Sequence, residues 1–179
     1  MPLLVNLTST LETINQILTA GVAITAISLL MYATSFNFKD RVAQVFVLIL
    51  VAVAVIYTSE IIANVSNRVE TITFWLRVKW VGLVMLPAVY LHFSDALLTL
   101  VGRPSRGRRR MVVSVVYFVS AIGAILVWLG ITVGRLAATP APMPYLERNI
   151  ITLLFGMYYI LVMLMAAYNL ARIVIRSIT

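Results

Sequence analysis

Residues 42–65 of this sequence read VAQVFVLILVAVAVIYTSEIIANV, an apolar run whose one charged residue is Glu60. A helix needs about 20 predominantly apolar residues to cross the hydrocarbon core of a bilayer. Unbroken runs favour helices, because the strands of a membrane barrel alternate polar and apolar residues over about ten positions. The stretch therefore predicts a membrane-spanning α-helix.

Runs of the same kind lie on both sides of this helix, and they cover residues 16–36, 72–101, 111–134 and 149–171. Of the 179 residues, 62% are hydrophobic and 11% are charged, whereas about a quarter of a soluble domain is charged. We therefore predict one all-α membrane domain over residues 1–179, a bundle of about five transmembrane helices. Because the loops are short, helices adjacent in sequence should pack antiparallel. The proline-rich connector 137–144 should be extended.

The net charge of +8 arises from 14 basic and 6 acidic residues, and the basic residues lie mostly in or near the short loops between apolar runs. In that position they determine orientation and contact anionic headgroups, so we expect membrane lipids and no nucleic acid among the partners. Nine basic residues fall on the side that contains the loop 103–110, and five fall on the other. The positive-inside rule then places the N-terminus outside and the C-terminus in the cytoplasm.

An acidic residue near the end of the second run and two basic residues near the start of the third should meet at one end of a helical hairpin. These residues are Glu60, Arg77 and Lys79. Ionisable groups inside a span are costly, so each needs a partner or a function. One interpretation is a structural ion pair between Glu60 and either basic residue, and the other is the polar wall of an outward-facing ligand pocket.

Five arginines lie between the third and fourth runs, as topology determinants that contact lipid headgroups or as a docking site for an acidic partner protein. They are Arg103, Arg106, Arg108, Arg109 and Arg110. Asp95, toward the same end of the third run, has Arg103 and the rest of this cluster as its nearest candidate partners. We expect its carboxylate to snorkel toward the interface.

His92 is the single histidine of the sequence. Its imidazole could ligate haem iron or chlorophyll magnesium, or it could be a hydrogen-bonded residue between helices. Pro87 should kink the third helix, and Gly82 should permit close approach of a neighbouring helix. In the fourth run, Gly130 and Gly134 form a small-xxx-small pair that permits close helix contact.

Catalytic signatures are missing from the sequence. It contains no phosphate-binding glycine-rich loop, no nucleophile elbow and no cluster of histidines or carboxylates with metal-ligand spacing. It contains no cysteine, which excludes disulfides and thiol chemistry. We therefore expect a protein that is not an enzyme and that binds no metal ion.

The third run and its flanks resemble the N-terminal seven-helix membrane region of certain bacterial histidine kinases. In that family the third helix opens with tryptophan and a basic residue, continues with glycine, proline and phenylalanine, and closes with a Gly-Arg-like loop. The matching residues here are 75–82 (WLRVKWVG), Leu86-Pro87, Phe93 and Gly102-Arg103, with Glu60 in the place of an acid common in the preceding helix. Five of the seven spans are present, and Leu97 and Leu98 replace a tyrosine of the family pattern.

The resemblance implies a multi-pass protein of the bacterial cytoplasmic membrane that acts in signal transduction. As a sensor-type module, it would bind a small ligand or sense the membrane near the second and third helices and act on a cytoplasmic partner. The alternative is an accessory subunit of a larger respiratory or photosynthetic membrane complex, in contact with other membrane subunits. A small channel or transporter is a third hypothesis, which the sequence favours least.

Overall fold

The computed structural model describes the backbone of residues 2–36, 40–102, 107–137 and 143–178, and the side chains within 9–35, 40–102, 107–137 and 143–175. Five helices form in these ranges: α1 (Pro2–Phe36), α2 (Arg41–Val65), α3 (Val69–Leu100), α4 (Arg108–Trp128) and α5 (Ile150–Ile178). Each contains a segment long and apolar enough to cross a membrane. The predicted number of such helices is confirmed, although α1 begins well before residue 16 and α5 continues beyond residue 171.

Contacts between helices define two ends of the bundle. Arg77, near the start of α3, reaches Trp128 at the end of α4, and Asp95, near the end of α3, pairs with Arg109 at the start of α4. Helices α3 and α4 are therefore antiparallel, as predicted. We call the end that contains residues 66–68 and 129–137 the hairpin end, and the end that contains residues 101–102 and 107–110 the arginine end.

A small β-hairpin connects α4 to α5 and is an addition to the predicted all-α architecture. Strands β1 (Val133–Leu136) and β2 (Leu146–Arg148) pair antiparallel, with Val133 opposite Arg148 and Leu136 opposite Leu146. Residues 138–142 of the predicted extended connector lie outside the described residues. The neighbouring Ala137 N–H donates to the Tyr145 carbonyl at 3.0 Å, which extends the hairpin toward them.

The prediction that the fourth span extends to residue 134 is wrong, because α4 ends at Trp128. Gly130 has a φ of +75°, a left-handed conformation that favours glycine and ends a helix. The Ile131 N–H then turns back to donate to the Leu126 carbonyl at 2.9 Å. Gly130 and Gly134 therefore lie outside the helix and form no helix-packing motif.

Helix α3 is the centre of the bundle. Helices α2, α4 and α5 all pack against it, whereas α1 packs against α2. Three apolar clusters follow α3 from the hairpin end to the arginine end, and each contains fully or nearly fully buried α3 residues such as Val84, Ala88 and Ala96. The placement of α2, α4 and α5 is therefore determined by the side chains that they bury against α3.

Two glycines allow neighbouring helices to approach α3 closely. A Cβ added at Gly82 would lie 2.8 Å from Ile56 Cγ1 and 3.4 Å from the Ala52 carbonyl oxygen of α2. A Cβ added at Gly123 of α4 would lie 2.9 Å from Val84 Cγ1. The close approach predicted at Gly82 is confirmed, and Gly123 provides the corresponding contact on the α4 side.

Pro87 is fully buried in α3, and α3 continues as one helix through it. Because proline has no N–H, the Leu83 carbonyl lacks its usual donor four residues ahead. The kink at this position stays a prediction.

We predict that Gly82→Ala destabilises the bundle by about 1–3 kcal/mol, because the added methyl group overpacks the α2–α3 contact. Thermal unfolding of the purified protein in mild detergent measures the loss. Adding Ile56→Ala should recover part of it, since that change removes the contacting Cγ1. Gly156→Ala is the matched control, because a Cβ there would meet no atom within 4 Å, and an equal loss in this control would contradict the explanation.

Candidate functional site

The three ionisable residues predicted to meet at the hairpin end divide into two separate contacts. Lys79 Nζ lies 3.0 Å from Glu60 Oε1, and both side chains are about four-fifths buried, with 24% and 19% exposed. Arg77 does not pair with Glu60. Its Nη1 donates instead to the Trp128 carbonyl at 3.3 Å, and its Nη2 lies 3.3 Å from where a Cβ on Gly130 would be.

Arg77 acts as a C-terminal cap for α4. The last carbonyls of a helix lack intrahelical donors and carry partial negative charge, so a guanidinium placed there is favourable. The absence of a Cβ at Gly130 leaves room for Arg77, and Phe74 packs edge-on against Trp128 at 5.7 Å between ring centroids. Arg77 thus links the start of α3 to the turn that precedes the β-hairpin.

The start of α5 is held by two polar residues that the sequence analysis missed. The Thr152 N–H donates to Asn149 Oδ1 at 3.0 Å, and the Asn149 N–H donates to Thr152 Oγ1 at 3.2 Å, which is a reciprocal helix cap. Asn149 Nδ2 also donates to the Ile131 carbonyl at 2.6 Å, and Thr152 Oγ1 donates to the Thr132 carbonyl. The Asn-x-x-Thr spacing before an apolar run is the sequence signal that could have indicated this cap.

A groove of about 630 Å³ lies between α3 and α5 near the hairpin end. Most of its lining is apolar or aromatic, and exposed Arg148 lies at the hairpin-end side. Trp80 packs edge-on against Phe155, with 6.5 Å between ring centroids. The lining residues are Trp80, Leu83, Arg148, Asn149, Thr152, Leu153, Phe155, Gly156, Met157, Tyr159 and Ile160.

The composition of this groove limits what it can hold. Concave, mostly apolar sites with a few polar groups are typical of small-molecule binding sites. Gly156 contributes no side chain, and a Cβ at that position would meet no atom within 4 Å, so the groove is open at Gly156. Leu83, whose carbonyl lacks its usual helical donor because of Pro87, also belongs to the lining. The groove therefore suits an apolar or amphipathic molecule.

At the arginine end, Asp95 of α3 forms an ion pair with Arg109 of α4. The Asp95 side chain is only 4% exposed, so the expectation that it snorkels toward the interface is wrong. An isolated buried carboxylate is costly, and a charged partner with hydrogen bonds compensates that cost. Arg109 belongs to the arginine cluster that was expected to supply this partner. Arg103 and Arg106 of the same cluster lie outside the described residues.

The Asp95–Arg109 pair forms part of a pocket of about 280 Å³ between α3, α4 and α5. Asn169 of α5 joins the same region, because its Nδ2 donates to Ser94 Oγ at 3.2 Å. The lining residues are Leu91, Asp95, Arg108, Arg109, Val112, Val113, Met165, Tyr168 and Asn169. Arg108 and Arg110 are exposed in the first turn of α4.

His92, a residue of α3, contacts α4. Its Nδ1 is 3.2 Å from the Tyr117 hydroxyl, and the two rings meet edge to face at 5.8 Å. It lines neither the groove near Trp80 nor the pocket at Asp95. The hydrogen bond agrees with the interhelical interpretation, and a role in binding haem or chlorophyll stays a prediction. Among the described residues, no group of three histidines, cysteines or carboxylates could hold a metal ion.

No protein-family model matches this chain, and comparisons with curated proteins and with solved structures find no match either. The resemblance to histidine-kinase membrane regions therefore stays a prediction from the residues. The structure changes the position of the candidate site. It separates Arg77 from the Glu60–Lys79 pair, and the groove of about 630 Å³ lies on the α5 side of α3 instead of between α2 and α3.

We predict that exchanging the charges of the Glu60–Lys79 pair preserves stability. Glu60→Lys or Lys79→Glu alone should lower the free energy of unfolding, and the double exchange should recover about 1 kcal/mol, the usual worth of a partly exposed pair. Thermal unfolding in detergent measures each variant. Glu60→Lys combined with Arg77→Glu is the control and should show no recovery, because Arg77 caps α4. A double exchange no more stable than the single variants would contradict a structural ion pair.

Proposed function

We propose that this chain is a non-catalytic membrane module that binds an apolar or amphipathic ligand in the groove between α3 and α5 and acts on a partner protein. The observation that carries the proposal is the groove itself, which is open at Gly156 and edged by Trp80 and Arg148. The resemblance to histidine-kinase sensor regions supports the same class of function. The proposal keeps α3 as the sensing helix and replaces α2 with α5 as its partner in binding.

Helix α3 provides a physical connection between the groove and the other end of the bundle. Trp80 lies about 22 Å along the helix axis from Asp95, and Asp95 is paired with Arg109 at the start of α4. A ligand that shifts Trp80 would therefore act on a continuous helix whose far end is attached to α4 by an ion pair. The partner would contact the arginine end.

We also propose that the arginine end faces the cytoplasm and that the chain resides in a bacterial cytoplasmic membrane. Arg108, Arg109 and Arg110 begin α4 at that end, and the positive-inside rule favours the cytoplasm for such clusters. The hairpin end, with its groove, would then face outward and receive a ligand from outside the cell or from the outer leaflet.

An accessory subunit of a larger respiratory or photosynthetic complex is the second candidate function, and one observation favours it. Helices α1, α4 and α5 expose large apolar side chains along much of their length, such as Leu153, Leu161 and Leu164, which are 64%, 58% and 65% exposed. Other membrane subunits could cover these faces, as could lipid. In that function the groove would receive a helix of a neighbouring subunit.

The orientation is testable because the chain has no cysteine of its own. We expect a cysteine at Asn67→Cys, exposed between α2 and α3, to react in intact cells with a thiol reagent that does not cross membranes. A cysteine at Ser105→Cys, in the connection between α3 and α4, should react only after the cells are opened. Reaction of Ser105→Cys in intact cells, with protection of Asn67→Cys, would reverse the orientation.

Ligand binding in the groove between α3 and α5 is tested by filling the groove with a larger side chain. The tagged wild-type chain is purified from native membranes in mild detergent, and bound small molecules, co-purifying proteins and the absorbance spectrum are measured. We expect a small molecule at about one per chain, and we expect Gly156→Leu to lose it without loss of stability, because leucine favours helices and meets no neighbour there. Gly21→Leu is the matched control, since a Cβ at Gly21 of α1 also meets no atom within 4 Å and Gly21 lines a different groove, between α1 and α2.

Two outcomes would overturn the ligand-binding proposal. Equal retention of the molecule by wild type and Gly156→Leu would remove the groove from the function. Stoichiometric subunits of a respiratory or photosynthetic complex, lost in Gly156→Leu in place of a small molecule, would establish the accessory-subunit function. In that case a pigment or haem band in the spectrum would make His92 the residue to substitute next.

A further inference from the structure

The pocket at the arginine end combines a cationic mouth with apolar walls. Its lining includes two arginines, one carboxylate and apolar side chains from all three helices α3, α4 and α5. We propose that this pocket binds the headgroup of an anionic phospholipid, with one acyl chain lying along α5. The pocket shares no lining residue with the groove near Trp80, whereas the face of α5 along which the acyl chain would lie shares Met157 and Ile160 with it. The headgroup contacts can therefore be tested independently of the groove near Trp80.

The charges at the mouth favour an anion. Three arginines occupy the first turn of α4 with no acidic residue among them. The N-cap residue is Gly107, so no side chain caps the start of this helix. The positive end of the helix dipole adds to their charge. Among the described residues, Asp95 pairs with Arg109, and the exposed Arg108 also lines the pocket. Arg172 adds a second cation, since its guanidinium carbon lies 5.4 Å from the ring centroid of Tyr168, which lines the pocket.

An apolar groove continues from the pocket along α5. This second groove is shallow and open, and it shares Met165 and Tyr168 with the pocket. Its other lining residues are Met157, Ile160, Leu161 and Leu164, which repeat on one exposed face of α5. The groove runs along α5 from Tyr168 past the middle of the helix to Met157, which is a path that an acyl chain could follow in a bilayer.

This combination distinguishes a lipid from the other anions that the arginines could attract. Inorganic phosphate would use the cationic mouth and leave the α5 groove empty. An acidic peptide in water could contact Arg108 and Arg172, but the α5 groove lies within a helix segment apolar enough to cross a membrane. A phospholipid presents both an anionic group and an apolar chain at the matching depths.

Native mass spectrometry of the full chain tests the proposal. The protein is equilibrated in mild detergent with equal amounts of phosphatidylglycerol and phosphatidylcholine of identical acyl chains, and the bound lipids are counted. We expect the wild type to retain phosphatidylglycerol preferentially, and Arg108→Gln and Arg172→Gln each to weaken this binding about fivefold. Arg135→Gln, which changes an exposed arginine of β1 that lines neither the pocket nor the groove near Trp80, is the matched control and should not change the ratio.

A variant that blocks the acyl chain completes the test. Met165→Trp fills the junction of the two cavities without changing charge, and we expect it to lower retention of phosphatidylglycerol severalfold. Equal retention of both lipids by the wild type, or an equal loss in Arg135→Gln, would overturn the site. Wild-type retention by Met165→Trp would overturn the acyl-chain path. Displacement of phosphatidylglycerol by an acidic peptide at equal concentration would assign the mouth to a protein partner instead.

Discussion

An apolar environment offers no hydrogen-bond partner to a polar group, so each polar side chain within these helices must be satisfied by the protein itself or lie near an end. Three described charged contacts follow this constraint, at both ends of the bundle. Glu60 is paired with Lys79, Asp95 is paired with Arg109, and Arg77 donates to the Trp128 carbonyl at the end of α4. Because all three contacts include a residue of α3, this helix determines how its neighbours are placed.

The hairpin end shows how one backbone conformation alters the rest of the connection. The left-handed Gly130 ends α4 and leaves space for Arg77, and the carbonyls of the following residues then become acceptors. Asn149 and Thr152 donate to those carbonyls while they cap α5. The turn after α4, the β-hairpin and the start of α5 therefore form one hydrogen-bonded unit, and it lies at one end of the groove near Trp80.

The two proposed sites use α5 in different ways. Near the hairpin end, α5 faces Trp80 of α3 across a groove that is open at Gly156. Near the arginine end, α5 closes a charged pocket and carries a polar contact from Asn169 to Ser94. The two proposed sites meet along α5, because Met157 and Ile160 line both the groove near Trp80 and the face that the acyl chain would follow.

The number of helices, their approximate bounds and the need for a partner at Glu60 and Asp95 could be predicted from the sequence. Hydrophobic run length and the cost of buried charge depend on residue type and order alone, which is why these predictions were possible. The choice of Lys79 over Arg77, the end of α4 at Trp128, the cap at Asn149 and both cavities could not be predicted. They depend on distances between side chains of different helices, and those distances are set by how α2, α4 and α5 pack on α3. Sequence alone therefore determined the five apolar helices, whereas tertiary packing decided which polar groups meet and where the bundle stays open.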